Sequence, residues 1–306
     1  MTSTLPPERV VGRFAPSPSG RMHLGNVFTA LLAWLSVRSK SGKLLLRIED
    51  LDPDRSKPEF IDAIYEDLHW LGLDWDEEMP RQSTRTAAYA QAFDRLPVYP
   101  CYCSRNELHA ASAPHASDGR VLYAGTCRDL TPEQRTAQTR VPAWRVRVPE
   151  ETVAFHDGVF GEVRQDLAGE CGDFILRRSD GVYAYQLAVV CDDAAGGVTE
   201  VVRGCDLLDS TPRQIWLARQ LGFSVPWFYH VPLLVAPDGR RLSKREKDLD
   251  LDHLRQAYTP EALIGLLAYA AGLIDTRREI APQELVPHFR WAAIRKENIP
   301  IFDAIG

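Results

Sequence analysis

Arg9–Asn26 read RVVGRFAPSPSGRMHLGN. The apolar residues at the start of this segment predict a strand that ends at Phe14, and a loop rich in proline, serine and glycine follows it. Helical periodicity then runs from Leu24 to Val37, and the apolar segment Lys43–Ile48 predicts a second strand. A strand, a helix and a strand at this spacing are typical of a parallel sheet in an α/β fold.

The loop between the first strand and the first helix is a candidate nucleotide site. In doubly wound sheets, ligands bind where the strands end, and the N-terminus of a helix offers N–H groups and partial positive charge to phosphates. His23 can donate a hydrogen bond to a phosphate oxygen, and Gly25 would let a nucleotide base approach the backbone closely. On the pattern alone, an ordinary turn with a surface histidine explains these residues equally well.

A second candidate is the basic loop at Pro237–Arg245, which reads PDGRRLSKR. The Pro-Asp-Gly sequence predicts a tight turn, and the cations after it could stabilise the charge that develops on a leaving pyrophosphate. Lys244 is the candidate for this role. A solvated turn with its cations facing water is the alternative, and for this loop taken alone it is the better explanation.

The middle of the chain has a different hydrophobic periodicity from its two ends. Before Pro97 the pattern is helical, at Lys57–Leu71 and Ala87–Leu96, and afterwards short strand signals predominate, which predicts an inserted domain. The strands predicted here and beyond are Trp144–Val148, Val153–His156, Asp173–Arg177, Gln186–Val190 and Glu200–Arg203, and the later helices are Thr211–Leu221 and Pro260–Leu273.

The inserted region also holds a cysteine cluster. Cys101 and Cys103 flank a single tyrosine, and Cys127 follows in the same region. Three thiolates at this spacing predict a zinc site that needs a fourth ligand, and on chemistry alone His109 or His115 is the natural one. Thiols that bind no metal are the alternative.

Charge and hydropathy bear on whether the protein binds nucleic acid, spans a membrane or is secreted. The formal net charge is -6, which counts against a nucleic-acid partner, since such partners call for a basic face. The acidic excess lies before Arg203, because 14 Lys and Arg stand against 13 Asp and Glu from that residue onward. No apolar run is long enough for a membrane span, and the N-terminus does not resemble a signal peptide, so we expect a cytoplasmic protein.

Taken together, the two loops resemble the paired signatures of the class I aminoacyl-tRNA synthetases. His23–Asn26, HLGN, resembles the first signature, with Asn26 where its last histidine often stands, and Arg241–Arg245, RLSKR, resembles the second. The segments RFAPSPSGRMHLGN, LLLRIEDLDPDRS and YQLAVVCDDAAGGVTEVVRGCDLLDSTPRQ resemble, in the correct order, blocks of the glutamyl branch of that family.

The resemblance implies a fold and a division of the chain. The fold is α/β, with a Rossmann-like parallel sheet of the class I synthetases, an inserted zinc-bearing α+β domain and a C-terminal helical segment. The two halves of the catalytic domain would be 1–96 and 186–235, the inserted domain, similar to an acceptor-binding domain, 97–185, and the signature loop with a helical domain similar to a stem-contact domain 236–306.

The resemblance also implies ATP with Mg²⁺ as co-substrate and L-glutamate as the amino acid. It assigns catalysis to His23 and Lys244, and ATP binding to the same two residues with Gly25 and Asn26. It assigns glutamate binding to Arg13, Ala15, Ser17, Glu49, Tyr185 and Arg203. Glu49 would hold the α-ammonium group. Selecting a side-chain carboxylate requires a buried cation, for which a planar guanidinium is best suited, and of Arg203 and Arg13 we expect Arg203 to bind the γ-carboxylate.

Length points to one group within the branch. Only 62 residues follow Lys244, too few for the large helical domain with which ordinary glutamyl-tRNA synthetases read the anticodon. The chain therefore resembles the truncated paralogues, the glutamyl-Q tRNA(Asp) synthetases, which activate glutamate without tRNA and attach it to the queuosine base in the anticodon of tRNA(Asp). In these paralogues the fourth ligand of a structural zinc is a tyrosine four residues before the last cysteine, here Tyr123.

Other functions remain open at this point. The chain could be the catalytic core of a conventional glutamyl-tRNA synthetase, a non-catalytic tRNA-binding paralogue, or another nucleotidyltransferase of the same fold. The presence of His23, Lys244, Glu49 and Arg203 argues against a non-catalytic paralogue. We expect a monomer without a membrane partner.

Overall fold

The structure is a computed structural model that describes residues 9–104, 122–236, 239–240 and 250–301. The strands in these ranges are β1 (Val11–Phe14), β2 (Lys43–Leu46), β3 (Glu77–Glu78), β4 (Val98–Cys101), β5 (Ala143–Val146), β6 (Thr152–Asp157), β7 (Gly161–Asp166), β8 (Ile175–Arg177), β9 (Glu200–Gly204), β10 (Trp227–Val231), β11 (Leu234–Val235) and β12 (Ile299–Pro300). The helices are α1 (Leu24–Arg38), α2 (Pro58–Trp70), α3 (Thr86–Phe93), α4 (Pro132–Thr136), α5 (Tyr185–Ala195), α6 (Thr211–Gln220), α7 (Leu251–Ala257), α8 (Pro260–Ala271) and α9 (Pro282–Leu285).

The unit β1–α1–β2 confirms the prediction from the opening segment. β1 and β2 are parallel, with Phe14 opposite Leu46, and α1 connects them. Gly12 allows α1 to pack tightly on β1, because a Cβ atom there would lie 2.4 Å from Val37 Cγ2. Most of α1 is buried, so this helix forms the centre of a hydrophobic core rather than a surface layer.

Parallel strands extend this unit on both sides. β3 pairs with β2, and β10 pairs with β9, in each case parallel. β9 lies beside β1, and the two are joined just before β9 by hydrogen bonds from Thr199 N to Val11 O, 2.9 Å, and from Val11 N to Thr199 Oγ1, 2.9 Å. The resulting order is β3-β2-β1-β9-β10. It is the order of a doubly wound fold, in which the strand order reverses beside the first strand.

The segment between α3 and α5 forms antiparallel sheet, as its strand signals predict. β5 pairs with β4 on one side and β8 on the other, and β6 and β7 form a hairpin. The hairpin is attached to the parallel sheet, because Asp157 at the end of β6 is paired with Phe228 of β10. Division of the chain at residues 97 and 185 stays a prediction.

One predicted strand is wrong. The apolar segment Gln186–Val190 lies inside α5, which runs to Ala195 and is followed by Gly196. A short apolar run fits a buried strand and a buried helix equally well, since both faces of either element are covered. Here Leu187, Ala188 and Val189 are all buried against the second hydrophobic core cluster, which includes residues of α3 and α6.

The last helices pack on the α1 side of the sheet. α8 begins with Thr259, whose side chain accepts a hydrogen bond from Ala262 N, and ends at Gly272, which has a left-handed backbone with φ of 86°. Its apolar residues belong to the same core cluster as α1. In the ranges that the structure describes, no helix has the length and apolar character that crossing a bilayer requires.

Candidate active site

A cavity of about 570 Å³ opens where β1 and β9 end. Its walls come from the end of β1 and the loop after it, the start of α1, Glu49 after β2, Tyr185 of α5, the end of β9 with the residues that follow, and the residues after β10. All predicted glutamate and ATP residues that the structure describes line it: Arg13, Ala15, Ser17, His23, Gly25, Asn26, Glu49, Tyr185 and Arg203. The carboxyl ends of parallel strands meet at one edge of a sheet, which is why residues so far apart in sequence converge here.

His23 is the N-cap residue of α1, directly before Leu24. Its Nδ1 accepts a hydrogen bond from Gly25 N at 3.1 Å, and Asn26 Oδ1 accepts one from His23 N at 3.1 Å, a reciprocal cap on the helix. Because Nδ1 is an acceptor, the neutral imidazole carries its proton on Nε2. A Cβ atom on Gly25 would lie 3.0 Å from the His23 ring, so glycine here also makes room for the imidazole.

Four charged side chains form a chain of ion pairs that alternates in sign, with Arg13 and Glu49 at the cavity wall and Asp193 and Arg47 behind it. Asp193 Oδ1 lies 3.4 Å from Arg13 Nε and 2.5 Å from Arg47 Nη1, and Arg47 Nη2 lies 2.9 Å from Glu49 Oε1. Arg47 is fully buried and Asp193 is 9% exposed, so both depend on these partners rather than on water. The chain of ion pairs fixes Arg13 and Glu49 at the cavity wall.

Burial and these contacts set the pKa values of the group. Burial raises the pKa of Glu49 above its ordinary value, and the guanidinium of Arg47 only partly opposes the rise. Burial acts in the same direction on Asp193, but Arg47 and Arg13 outweigh it and lower the pKa of that carboxyl group. Asp193 is therefore the fixed anion of the site, and Glu49 is the carboxylate that protonates first as the pH falls.

Arg203 is held on three sides. It is 4% exposed, and its guanidinium donates from Nε to His230 Nε2 at 3.0 Å, from Nη1 to Gln214 Oε1 at 2.8 Å and from Nη2 to Thr211 Oγ1 at 2.7 Å. A guanidinium has five N–H groups, so two remain for the nearby Tyr185 hydroxyl and for a ligand. Burial lowers the pKa of Arg203, and the group still remains a cation at any physiological pH.

The three cysteines of the inserted region also come together. The sulfur atoms of Cys101, Cys103 and Cys127 lie within 4.8 Å of one another, and Cys103 and Cys127 are 3.6 Å apart. Tyr123 Oη lies 3.5 Å from Cys101 Sγ and accepts a hydrogen bond from Cys127 N. A tetrahedral zinc with Zn–S bonds of about 2.3 Å places two sulfurs about 3.8 Å apart and an oxygen ligand about 3.5 Å from a sulfur. The four side chains fit such an ion. His109 and His115 lie outside the described residues.

Comparison with known proteins places the chain in a family. Residues 9–299 match the family model described as tRNA synthetases class I (E and Q), catalytic domain. The glutamyl-Q tRNA(Asp) synthetase of Symbiobacterium thermophilum is 51% identical over 309 residues, which cover 95% of both chains. The chain belongs to the class I aminoacyl-tRNA synthetases, in the glutamyl-Q tRNA(Asp) synthetase family. The protein of that name from Thiobacillus denitrificans is 43% identical, with 98% of both chains covered.

A solved structure supports the same fold. The glutamate tRNA ligase of Elizabethkingia meningosepticum, solved in complex with its amino acid, has a TM-score of 0.80 and 27% sequence identity. The match covers 96% of this chain and 67% of that ligase. The predicted class I α/β fold with a parallel sheet is therefore confirmed. An ATP-dependent ligase reaction follows from membership of this synthetase family.

The second signature of the family falls mostly outside the described residues. Lys244 and its neighbours at 241–249 are among those not described, so the position of Lys244 stays a prediction. The residues on either side of this segment lie at the first loop. Leu234 lines the cavity, Asp250 is paired with His23, and Leu251 N donates a hydrogen bond to Met22 O at 3.1 Å.

Sequence reasoning missed four buried ionisable residues that shape the site. They are Arg47, Asp157, Asp193 and His230, each 9% exposed or less. In the sequence, each of them is an ionisable residue inside or beside an apolar strand or helix, and burial there requires a partner. This pattern identifies such a residue but not its partner, since Arg47 and Asp193 are 146 positions apart.

Proposed function

We propose that this chain activates L-glutamate with ATP to form glutamyl-adenylate and transfers the glutamyl group to the queuosine base in the anticodon of tRNA(Asp). The observation that carries the proposal is that one cavity, at the ends of β1 and β9, brings together all nine predicted substrate residues outside the second signature. The names of the relatives, each a glutamyl-Q tRNA(Asp) synthetase, support the choice of acceptor.

The charges of the cavity match glutamate. Five charged residues line the cavity, Arg13, Arg21, Arg203, Glu49 and Asp206, and Arg47 and Asp193 lie directly behind this wall. This sum is formally +1, and glutamate at neutral pH is formally -1. Arg203 binds the γ-carboxylate, since its guanidinium is held rigidly at the wall and a fixed donor loses little entropy on binding.

The other end of the amino acid lies toward β2. Glu49 binds the α-ammonium group, and Tyr185 lines the cavity near both Glu49 and Arg203, whose charges act on the pKa of its phenol in opposite directions. Ala15 and Ser17, on the loop after β1, with Arg13 at the end of that strand, complete the glutamate site. An uncharged amide in place of the γ-carboxylate would leave a buried cation unpaired, which is the physical basis of discrimination against glutamine.

Activation needs no general base, because the α-carboxylate is already ionised. Its oxygen attacks the α-phosphorus of ATP, a new P–O bond forms, and the bond to the β-phosphate breaks to release pyrophosphate. Positioning and charge stabilisation then account for catalysis. The N-terminus of α1 and His23 Nε2–H stabilise the phosphate oxygens, with Gly25 and Asn26 at the nucleotide and Lys244 completing the set. Mg²⁺, when bound, would neutralise part of the charge of the phosphates.

In the inserted domain at 97–185, Cys101, Cys103, Cys127 and Tyr123 would hold a structural zinc ion, which would supply folding free energy rather than chemistry. Arg145 supports the site, because its Nε donates to Cys101 Sγ at 3.3 Å and its guanidinium lies 3.9 Å from the centre of the Tyr123 ring. A cation here offsets part of the negative charge of the three thiolate ligands.

A second candidate is a conventional glutamyl-tRNA synthetase, favoured by the structural match to a glutamate tRNA ligase. One experiment separates the two. The chain is incubated with ATP, radiolabelled glutamate and either queuosine-containing or queuosine-free tRNA(Asp), with tRNA(Glu) as a third acceptor. We expect label only in queuosine-containing tRNA(Asp), alkali-labile and located in the anticodon fragment after nuclease digestion. Label at the 3′ end of tRNA(Glu) would instead establish the conventional activity.

A further inference from the structure

His230 accepts a hydrogen bond from Arg203, the residue to which we assign selection of glutamate. It lies in β10, next to β9, and the register of the two strands places it opposite Arg203. Its Nε2 accepts a hydrogen bond from Arg203 Nε at 3.0 Å and lies 3.1 Å from Thr211 Oγ1. His230 is fully buried and does not line the cavity, so it acts on a ligand only through Arg203.

The contact fixes the proton on His230. An arginine N–H can only donate, so Nε2 must be an acceptor, and the single proton of the neutral ring must be on Nδ1. Nδ1 then donates to Asp157 Oδ2 at 2.7 Å. Burial lowers the pKa of His230, although Asp157 opposes this effect, so the ring is neutral at physiological pH. A protonated ring would direct an N–H of its own at the guanidinium.

The hydrogen bonds that Asp157 accepts keep its carboxylate in place to stabilise this tautomer. Its Oδ1 accepts from Val159 N at 3.0 Å and Phe160 N at 2.9 Å, and its Oδ2 accepts from both the backbone N, at 3.1 Å, and Nδ1 of His230. The carboxylate is fully buried with all four of these bonds converging on it. It stands at the end of β6, so the antiparallel hairpin contributes a carboxylate to the support of a residue in the parallel sheet.

We propose that His230, oriented by Asp157, is a positioning residue that holds the guanidinium of Arg203 in the orientation that binds the γ-carboxylate of glutamate. The inference rests on the proposed function. The relay Asp157–His230–Arg203 fixes Nε, while Gln214 and Thr211 fix the two Nη atoms, so the plane of the guanidinium is defined before the substrate arrives. A donor fixed in advance binds with less loss of entropy than one that the ligand must order.

Two substitutions of similar length separate positioning from packing. His230→Met removes the acceptor, and His230→Gln can place its Oε1 near the original position of Nε2. Both remove the imidazole, so a purely structural role would affect them alike. We expect His230→Met to raise KM for glutamate at least tenfold with KM for ATP within twofold of the unsubstituted chain, and His230→Gln to restore KM for glutamate to within about threefold.

Asp157→Asn adds a test that leaves His230 in place. Two backbone N–H groups, of Val159 and Phe160, require an oxygen at the Oδ1 position and only that of His230 requires one at Oδ2, so the new amide NH₂ takes the Oδ2 position, faces Nδ1 and favours the tautomer protonated on Nε2. That proton points at Arg203, and we expect KM for glutamate to rise as in His230→Met. As a matched control, Ser36→Ala removes a buried hydrogen bond to Glu200, at the opposite end of β9, and should leave KM for glutamate unchanged.

The readout is glutamate-dependent exchange of pyrophosphate into ATP, with thermal unfolding of each variant to confirm that it is folded at the assay temperature. The inference is overturned if Met and Gln at position 230 give the same KM for glutamate, or if KM for ATP rises in parallel in His230→Met. Absence of exchange in both the unsubstituted chain and Ser36→Ala would instead refute the proposed function, so the two failures are distinguishable.

Discussion

Replacing Arg203 with lysine keeps the positive charge and removes the planar guanidinium, which makes it the sharpest test of the proposed glutamate site. In the structure the guanidinium donates to His230, Gln214 and Thr211 and still has N–H groups to offer a ligand. A lysine ammonium is a compact charge on a flexible stem and cannot serve this planar set of acceptors at once. The substitution should therefore affect stability and glutamate binding separately.

Each effect has a definite size. If lysine satisfies one of the three acceptors, two are left without their donor, which costs about 2 kcal/mol of the free energy of unfolding at about 1 kcal/mol for each net hydrogen bond. Losing one charge-assisted hydrogen bond to the γ-carboxylate costs about 1.5 to 3 kcal/mol. At about 1.4 kcal/mol for each factor of ten, glutamate affinity should fall roughly 10- to 150-fold.

Pyrophosphate exchange at saturating ATP measures the effect on glutamate, and exchange at saturating glutamate measures the effect on ATP. We expect KM for glutamate to rise within the calculated range and KM for ATP to stay within twofold. Chemical denaturation gives the change in stability, with Ser36→Ala as the control for loss of a buried hydrogen bond, here from α1 to Glu200 of β9. An Arg203→Lys chain that is folded and keeps KM for glutamate within threefold would refute the assignment of the γ-carboxylate to Arg203.

The remaining predictions concern Glu49, the second signature and the metal. The proposed role of Glu49 at the α-ammonium group requires an ionised carboxylate, and its pKa is raised, so glutamate affinity should be retained above that pKa and lost as the pH falls through it. KM for glutamate measured against pH should show this acid limb, and Glu49→Gln should abolish it along with most of the affinity. Lys244→Ala should slow single-turnover adenylate formation about 10²- to 10³-fold, and rates within tenfold of the unsubstituted chain would disprove its role. Cys127→Ser should reduce bound zinc, measured by metal analysis, from one ion per chain to a small fraction, whereas Cys191→Ser, a buried thiol outside the cluster, should retain it; equal zinc in both would contradict the site.

Much of the site was predictable because its parts are local. The order strand, loop and helix at the start of the chain places Arg13, Ser17, His23 and Gly25 on one short segment. The end of β2 then brings Glu49 beside it, since parallel neighbours end at the same edge. Such features depend on residues near in sequence and on the rules of parallel sheets, so a single sequence contains them.

The parts that could not be predicted depend on packing between distant segments. An apolar run such as Gln186–Val190 fits a strand or a helix, and only its neighbours in the folded core decide for the helix. The partners of Arg47 and of Arg203 likewise come from other elements, α5 for Asp193 and β10 for His230. Sequence shows that a buried charge needs a partner, and the tertiary structure selects it.

The central claim is that one cavity selects glutamate and activates it with ATP, and pyrophosphate exchange without tRNA tests it most directly. Purified chain is assayed with ATP, Mg²⁺ and labelled pyrophosphate in the presence of glutamate, glutamine or aspartate. The account predicts rapid exchange with glutamate, and exchange lower by at least two orders of magnitude with glutamine, which leaves the Arg203 guanidinium without an anionic partner. Equal exchange with glutamate and glutamine, or exchange with neither, would contradict it.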